Sequence, residues 1–146
     1  MKTTTAGLLV GLSTLASPAL PLDFITTSRP AVLFDAPSQA AKKVSVVSSG
    51  YPLERIVSAE GWVKVRDDSG SLSWIEESAI SNRRSARISV PIALILQKPV
   101  DNAVVLFRAA QGVTLDILAI DAVGWARVRL PEGKEGYLRS RDAWGL

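Results

Sequence analysis

The sequence predicts an all-β protein built twice from one small unit, and three observations lead there. Residues 61–75, GWVKVRDDSGSLSWI, return at 124–138 as GWARVRLPEGKEGYL without a gap, sharing the Gly-Trp pair, the Val-Arg pair and the turn glycine. Short runs rich in β-branched and aromatic residues alternate with Pro, Gly, Ser and Asp turn chemistry along most of the chain. No window longer than ten residues after residue 19 carries helical periodicity.

In the first copy the strand-like runs are residues 31–34, 43–47, 53–58, 62–66 and 72–75, punctuated by Pro37, Ser49-Gly50 and Glu60-Gly61. Asp67-Asp68-Ser69-Gly70 separates two alternating runs and predicts a hairpin turn. The second copy follows in phase: Pro37 maps to Pro99, Gly50 to Gly112 and Leu53 to Leu115. One inserted residue near Ala122-Val123 then brings Gly124 onto Gly61. Its strands are expected at 88–96, 104–107, 115–120, 125–129 and 136–138, with a short helical turn after each copy. Gly61 and Gly124 are expected at positive φ ahead of a strand.

Residues 1–19 read as an export signal: Lys2, the short apolar run AGLLVGLSTLA, and small residues before a cut at Ala19. That run is too short to span a bilayer, so no membrane span is expected in the mature chain. The remaining boundaries are an extended, partly mobile lead over 20–29, the first repeat over 30–80, a basic linker over 81–87 and the second repeat over 88–146. With no cysteine the exported chain has no disulfide staples, and stability rests on the core. Beyond residue 19 the chain holds 16 basic and 14 acidic residues, a balance without the concentrated basic face that nucleic acid calls for. Residues 31–80 carry net −2, whereas Arg83, Arg84 and Arg87 concentrate positive charge in the junction.

An early Ala-Pro turn, a mid-repeat glycine, GWVKVR followed by SWI, and GWARVR followed by GYL together resemble the bacterial SH3 domain family. The resemblance covers residues 31–80 and 91–146. It implies tandem SH3-like small β-barrels, five- to seven-stranded and partly open, of a kind that commonly recognises cell-wall peptides.

Seven residues are candidate ligand contacts. Trp62 and Trp125 open their strands after glycine and either give a ligand a rigid platform or seal a barrel end. Trp74 and Tyr137 take the alternate aromatic position in the next strand. Arg66 and Arg129 share one register and either hold a carboxylate or pair with an acidic neighbour such as Asp67 or Glu135. Tyr51, beside Pro52, lacks an aromatic counterpart in the second copy and offers a docking surface.

The chain has no His and no Cys, which removes imidazole bases, His-based triads and nearly all zinc chemistry. Asp67-Asp68 and Glu76-Glu77 read as solvated surface. No catalytic residue, metal ligand or cofactor is assigned. The expectation is an exported, periplasmic or secreted, non-enzymatic module that binds a cell-wall peptide or an envelope protein. The alternative is a periplasmic assembly protein that holds a protein partner and no wall ligand, through Tyr51, Arg83, Arg84 or a free strand edge.

Overall fold

A computed structural model describes residues 21–120 and 123–146. The segment expected to be an export signal, and the cut expected at Ala19, lie outside the described residues. The first half contains β1 (Phe24–Thr27), β2 (Ala31–Phe34), β3 (Lys43–Val47), β4 (Pro52–Ala59), β5 (Trp62–Arg66), β6 (Leu72–Glu76) and β7 (Ile80–Ser81). The second contains β8 (Ser85–Ile88), β9 (Ile92–Leu96), β10 (Val105–Ala110), β11 (Thr114–Ile120), β12 (Trp125–Arg129), β13 (Glu135–Arg139) and β14 (Ala143–Trp144). A single 3-10 turn, Glu77–Ala79 or Ser140–Asp142, precedes the last short strand of each half.

The strands form two seven-stranded antiparallel sheets with one shared order. It runs β3-β2-β6-β5-β4-β1-β7 in the first and β10-β9-β13-β12-β11-β8-β14 in the second. Alternation explains the packing, because successive side chains on a strand point to opposite faces. Val63 and Val65 of β5 are fully buried, while Trp62, Lys64 and Arg66 between them are only partly covered. One core per sheet gathers residues from nearly every strand: Ile25, Leu33, Val47, Leu53, Val65 and Ile75 meet in the first. Such convergence requires each sheet to curl on itself. Where the first core has Ile25 and Val63, the second has Ala86 and Ala126, and Phe107, Ile117 and Leu130 pack around it.

The β4–β5 turn is set by two residues. Ala59 pairs with Trp62, and the intervening Glu60 and Gly61 take φ of 45° and 84°. Positive φ at both places is the hairpin turn whose twist matches the strands. Gly124, ahead of β12, also takes a positive φ, of 87°. At the next hairpin Asp67 Oδ1 accepts from the Ser69 and Ser71 N–H groups at 2.9 and 3.0 Å.

Three segments depart from the sequence reading. The proline-flanked lead is not free, since Phe24–Thr27 is buried in the first sheet, between β4 and β7. The run expected as one strand over 88–96 is broken at Pro91 into β8 and β9, since proline supplies no ladder donor. Ser85–Arg87, assigned to the linker, already belongs to β8, so only residues 82–84 join the sheets.

That short junction holds the halves in contact. Ser85 Oγ lies 3.1 Å from Thr26 Oγ1 and donates to the Gly50 carbonyl at 2.8 Å. The Phe24 and Trp144 rings meet edge-on at 5.0 Å, and the Trp144 indole N–H donates to the Pro52 carbonyl. Arg87 lies over the Tyr51 ring at 4.9 Å, and its Nε donates to Asp68 at 2.9 Å.

Candidate ligand-binding clefts

Register fixes which outward side chains meet. Trp62 stands opposite Glu76, and Lys64 opposite Trp74. In the second sheet Trp125 stands opposite Arg139, and Arg127 opposite Tyr137. Each Gly-Trp corner consequently borders a shallow cleft on the outside of its sheet. The first is lined by Gln39, Glu60, Gly61, Trp62, Glu76 and Ser78, among others. The second, about 190 Å³, is lined by Asp101, Gly124, Trp125, Arg139 and Arg141.

In the first cleft Trp62 packs edge-on against Phe34 at 5.4 Å. Glu76 accepts a hydrogen bond from Gln39 and faces Arg29 at 3.8 Å. Glu76, read as solvated surface, is partly covered, with its side chain 29% exposed and tied to a neighbouring loop. Beside it a groove of about 330 Å³ runs along Arg29, Pro30, Val32, Phe34 and Lys43, sharing Gln39 and Glu76 with the cleft. In the second cleft the Arg139 guanidinium lies over the Trp125 ring at 5.2 Å. Asp101 holds that guanidinium at 2.9 Å.

The seven candidate residues do not converge on one groove. Trp62 and Trp125 each line a cleft. Trp74 and Tyr137 share the outward face with them and are partly exposed, one strand away; Lys64 stands over the Trp74 ring at 6.0 Å. Arg66 and Arg129 pair across the sheet, not with the neighbours suggested by sequence. Arg66 donates to Glu54 on β4 at 3.0 Å, and Arg129 reaches Asp116 on β11 at 3.7 Å.

Tyr51 lies in the seam, half-buried beneath Arg87, with its hydroxyl donated to Asp68. Burial first, and the Asp68 hydrogen bond second, push that hydroxyl well above its usual value. The basic junction is likewise engaged internally. Arg83 grips both Asp116 oxygens at 2.8 and 2.7 Å, and Arg84 donates to the Gly145 carbonyl at 2.9 Å.

Gln39, Asp101 and Arg139, with Ser78 and Arg141 at the rims, are cleft residues that the sequence reading did not single out. The repeat offset carried their signal, because it places Gln39 on Asp101 and Glu76 on Arg139. The first sheet, with its Gly-Trp hairpin and paired outward aromatics, is also the part of the chain with a recognisable family match.

Residues 27–82 match the bacterial SH3 domain family. The matched bacterial SH3 segment takes in β2–β7 and the cleft around Trp62, and the second sheet repeats its strand order. No curated protein matches the chain. Among solved structures, NlpC1 from Trichomonas vaginalis is 15% identical over 94% of this chain and 50% of its own length, with a TM-score of 0.40. An NlpC/P60 family protein from Bacillus cereus ATCC 10987 is 17% identical over 84% of this chain and 56% of its own, with a TM-score of 0.39. This chain spans about half the length of these proteins.

Proposed function

We propose that the chain is an exported, non-enzymatic binding module that recognises a peptide, either of the cell wall or of an envelope protein. The observation that carries this is the repeated Gly-Trp corner, which leaves a partly exposed indole beside a cleft on each half. A rigid aromatic bordered by charged and amide groups suits a peptide, offering apolar area to a side chain and polar partners to the backbone. The bacterial SH3 match over residues 27–82 supports the same reading. So does a sequence without His or Cys, which offers neither an imidazole base nor a thiol nucleophile.

Retention of the mature chain on purified peptidoglycan tests the wall-binding form. The parent chain is expected to be retained, and a Trp62→Ala, Trp125→Ala double variant to wash through. Equal retention of the two, with both folded, would remove the aromatic clefts from the account.

A second reading, a protein held along a sheet edge, is favoured by β3. It is an end strand of its sheet and carries Val44 and Val46 exposed, the latter at 71%. Crosslinking in the envelope separates the two, since one dominant protein partner without wall association selects the edge.

A further inference from the structure

The two clefts occupy the same place in the two sheets and carry different chemistry. Gly61 and Trp62 become Gly124 and Trp125 unchanged, whereas Gln39 becomes Asp101, Glu76 becomes Arg139 and Ser78 becomes Arg141. The frame is kept and the charged lining is exchanged. Among the described lining residues, the first cleft has Glu60, Glu76 and Glu77 with no basic residue; the second has two arginines and one aspartate.

Within the second cleft, Arg139 is built in and Asp101 is not. The Arg139 side chain is 17% exposed, stacked against Trp125 at the end of β13. Asp101 sits in the β9–β10 turn with its side chain 83% exposed. Both contacts from the guanidinium, Nε at 3.0 Å and Nη2 at 2.9 Å, fall on one oxygen, Oδ1. A guanidinium edge is shaped to bind two carboxylate oxygens side by side. Its preferred partner is therefore only half supplied, by a group that water already surrounds. Among the described residues Arg141, 79% exposed, has only a 3.9 Å approach to Asp142 and adds a second positive charge at the rim.

We propose that the Trp125 cleft takes a free carboxylate of the bound peptide, and that Asp101 stands in for that carboxylate until the ligand displaces it. The ligand's two oxygens then lie along the Nε–Nη2 edge of Arg139, whose orientation the Trp125 ring maintains. A volume of about 190 Å³ accommodates an end group or a short side chain, not a whole peptide. The Trp62 cleft, with Glu76 where Arg139 stands, does not take this group. The inference rests on the peptide-binding reading and specifies the chemistry of one of its two sites.

Titration of the full mature chain with N-acetyl-alanyl-alanine and with its C-terminal amide tests it, read by NMR at the Trp125 indole and Arg139 Nε–H signals. The acid is expected to shift both saturably, more weakly as salt rises, and the amide to shift neither. Asp101→Asn removes the competing carboxylate and is expected to tighten the acid roughly threefold. Arg139→Gln is expected to weaken it roughly tenfold or more, and Arg108→Gln, an exposed position on β10 outside both clefts, to leave it unchanged.

Equal binding of acid and amide, or an Asp101→Asn variant that binds the acid no better than the parent, overturns the proposal. The Asp101 variant decides the matter even if Arg139→Gln fails to fold. Peptidoglycan retention without acid binding would sink the carboxylate site and leave the module standing. Acid binding without retention on wall or any envelope protein would do the reverse.

Discussion

Tyr51 sits where three constraints meet: its ring is covered by Arg87, its hydroxyl is held by Asp68, and its backbone N–H donates to Thr27 Oγ1. Because the folded protein keeps the phenol proton more tightly than the unfolded chain does, Tyr51 adds stability below the ordinary tyrosine value near 10. That contribution is lost as pH rises above this value and the unfolded state ionises. Thermal melts between pH 8 and 11 should show a steeper alkaline decline for the parent than for Tyr51→Phe. At neutral pH the variant should lose about 1 kcal/mol, the worth of one hydrogen bond. A second residue-scale test is Gly145→Ala. Gly145 has φ of 103°, and an added Cβ would lie 2.4 Å from the Ser85 carbonyl oxygen and 3.0 Å from Pro52 Cβ. Backbone cannot yield as a side-chain tip does, so a loss of about 2 kcal/mol or more is expected in urea melts.

Between strands the duplicated arginines divide by their surroundings. Glu54 has a side chain 9% exposed, so Arg66→Ala strips the nearest cation from a nearly buried carboxylate. Asp116 is 34% exposed and is also held by Arg83, so Arg129→Ala leaves it partnered. Chemical denaturation should report about 1–2 kcal/mol lost for Arg66→Ala, a figure reduced by the exposure of Arg66 itself. Arg129→Ala should cost below about 0.5 kcal/mol. Equal costs would mean that burial of the carboxylate does not govern the pair. These partners also mark how far local reading reaches. The β5–β6 hairpin was legible because Asp67–Gly70 carries its turn chemistry in consecutive residues. The partners of Arg66 and Arg129 were not, since they stand across the β4–β5 and β11–β12 ladders, set by register over a whole hairpin. Strand β1 was hidden for a related reason: FITT between prolines is too short to show alternation, and only burial under both β4 and β7 makes it a strand. The clefts were legible in half, through their tryptophans. Their charged walls come from loops and strands distant in sequence, and only the aligned copies bring Glu76 and Arg139 to one position.

Across the whole molecule, one set of residues that break the repeat joins its halves. Tyr51 aligns with Val113 and Pro52 with Thr114, and Trp144 stands in the register position that Ser81 holds in the first half. Each of these unmatched residues contacts the opposite half: Tyr51 under Arg87, Pro52 through its carbonyl on the Trp144 indole N–H, and Trp144 against Phe24. A symmetric pair of domains would not need them. Sheets of this size bury a modest fraction of their unfolded surface when alone, so an apolar and hydrogen-bonded seam should couple their unfolding. Calorimetry of the parent chain is therefore expected to give one transition with equal calorimetric and van't Hoff enthalpies. Combining Trp144→Ala with Arg87→Ala removes the aromatic edge contact, the Pro52 hydrogen bond and the Asp68 ion pair, while leaving both cores untouched. The double variant should unfold in two steps. The second half should melt first, since Ala86 and Ala126 fill its core less fully than Ile25 and Val63 fill the other. Two transitions already present in the parent chain would show that the seam transmits no stability. A single unchanged transition in the double variant would place the coupling in Thr26, Ser85 and the residue 82–84 junction instead.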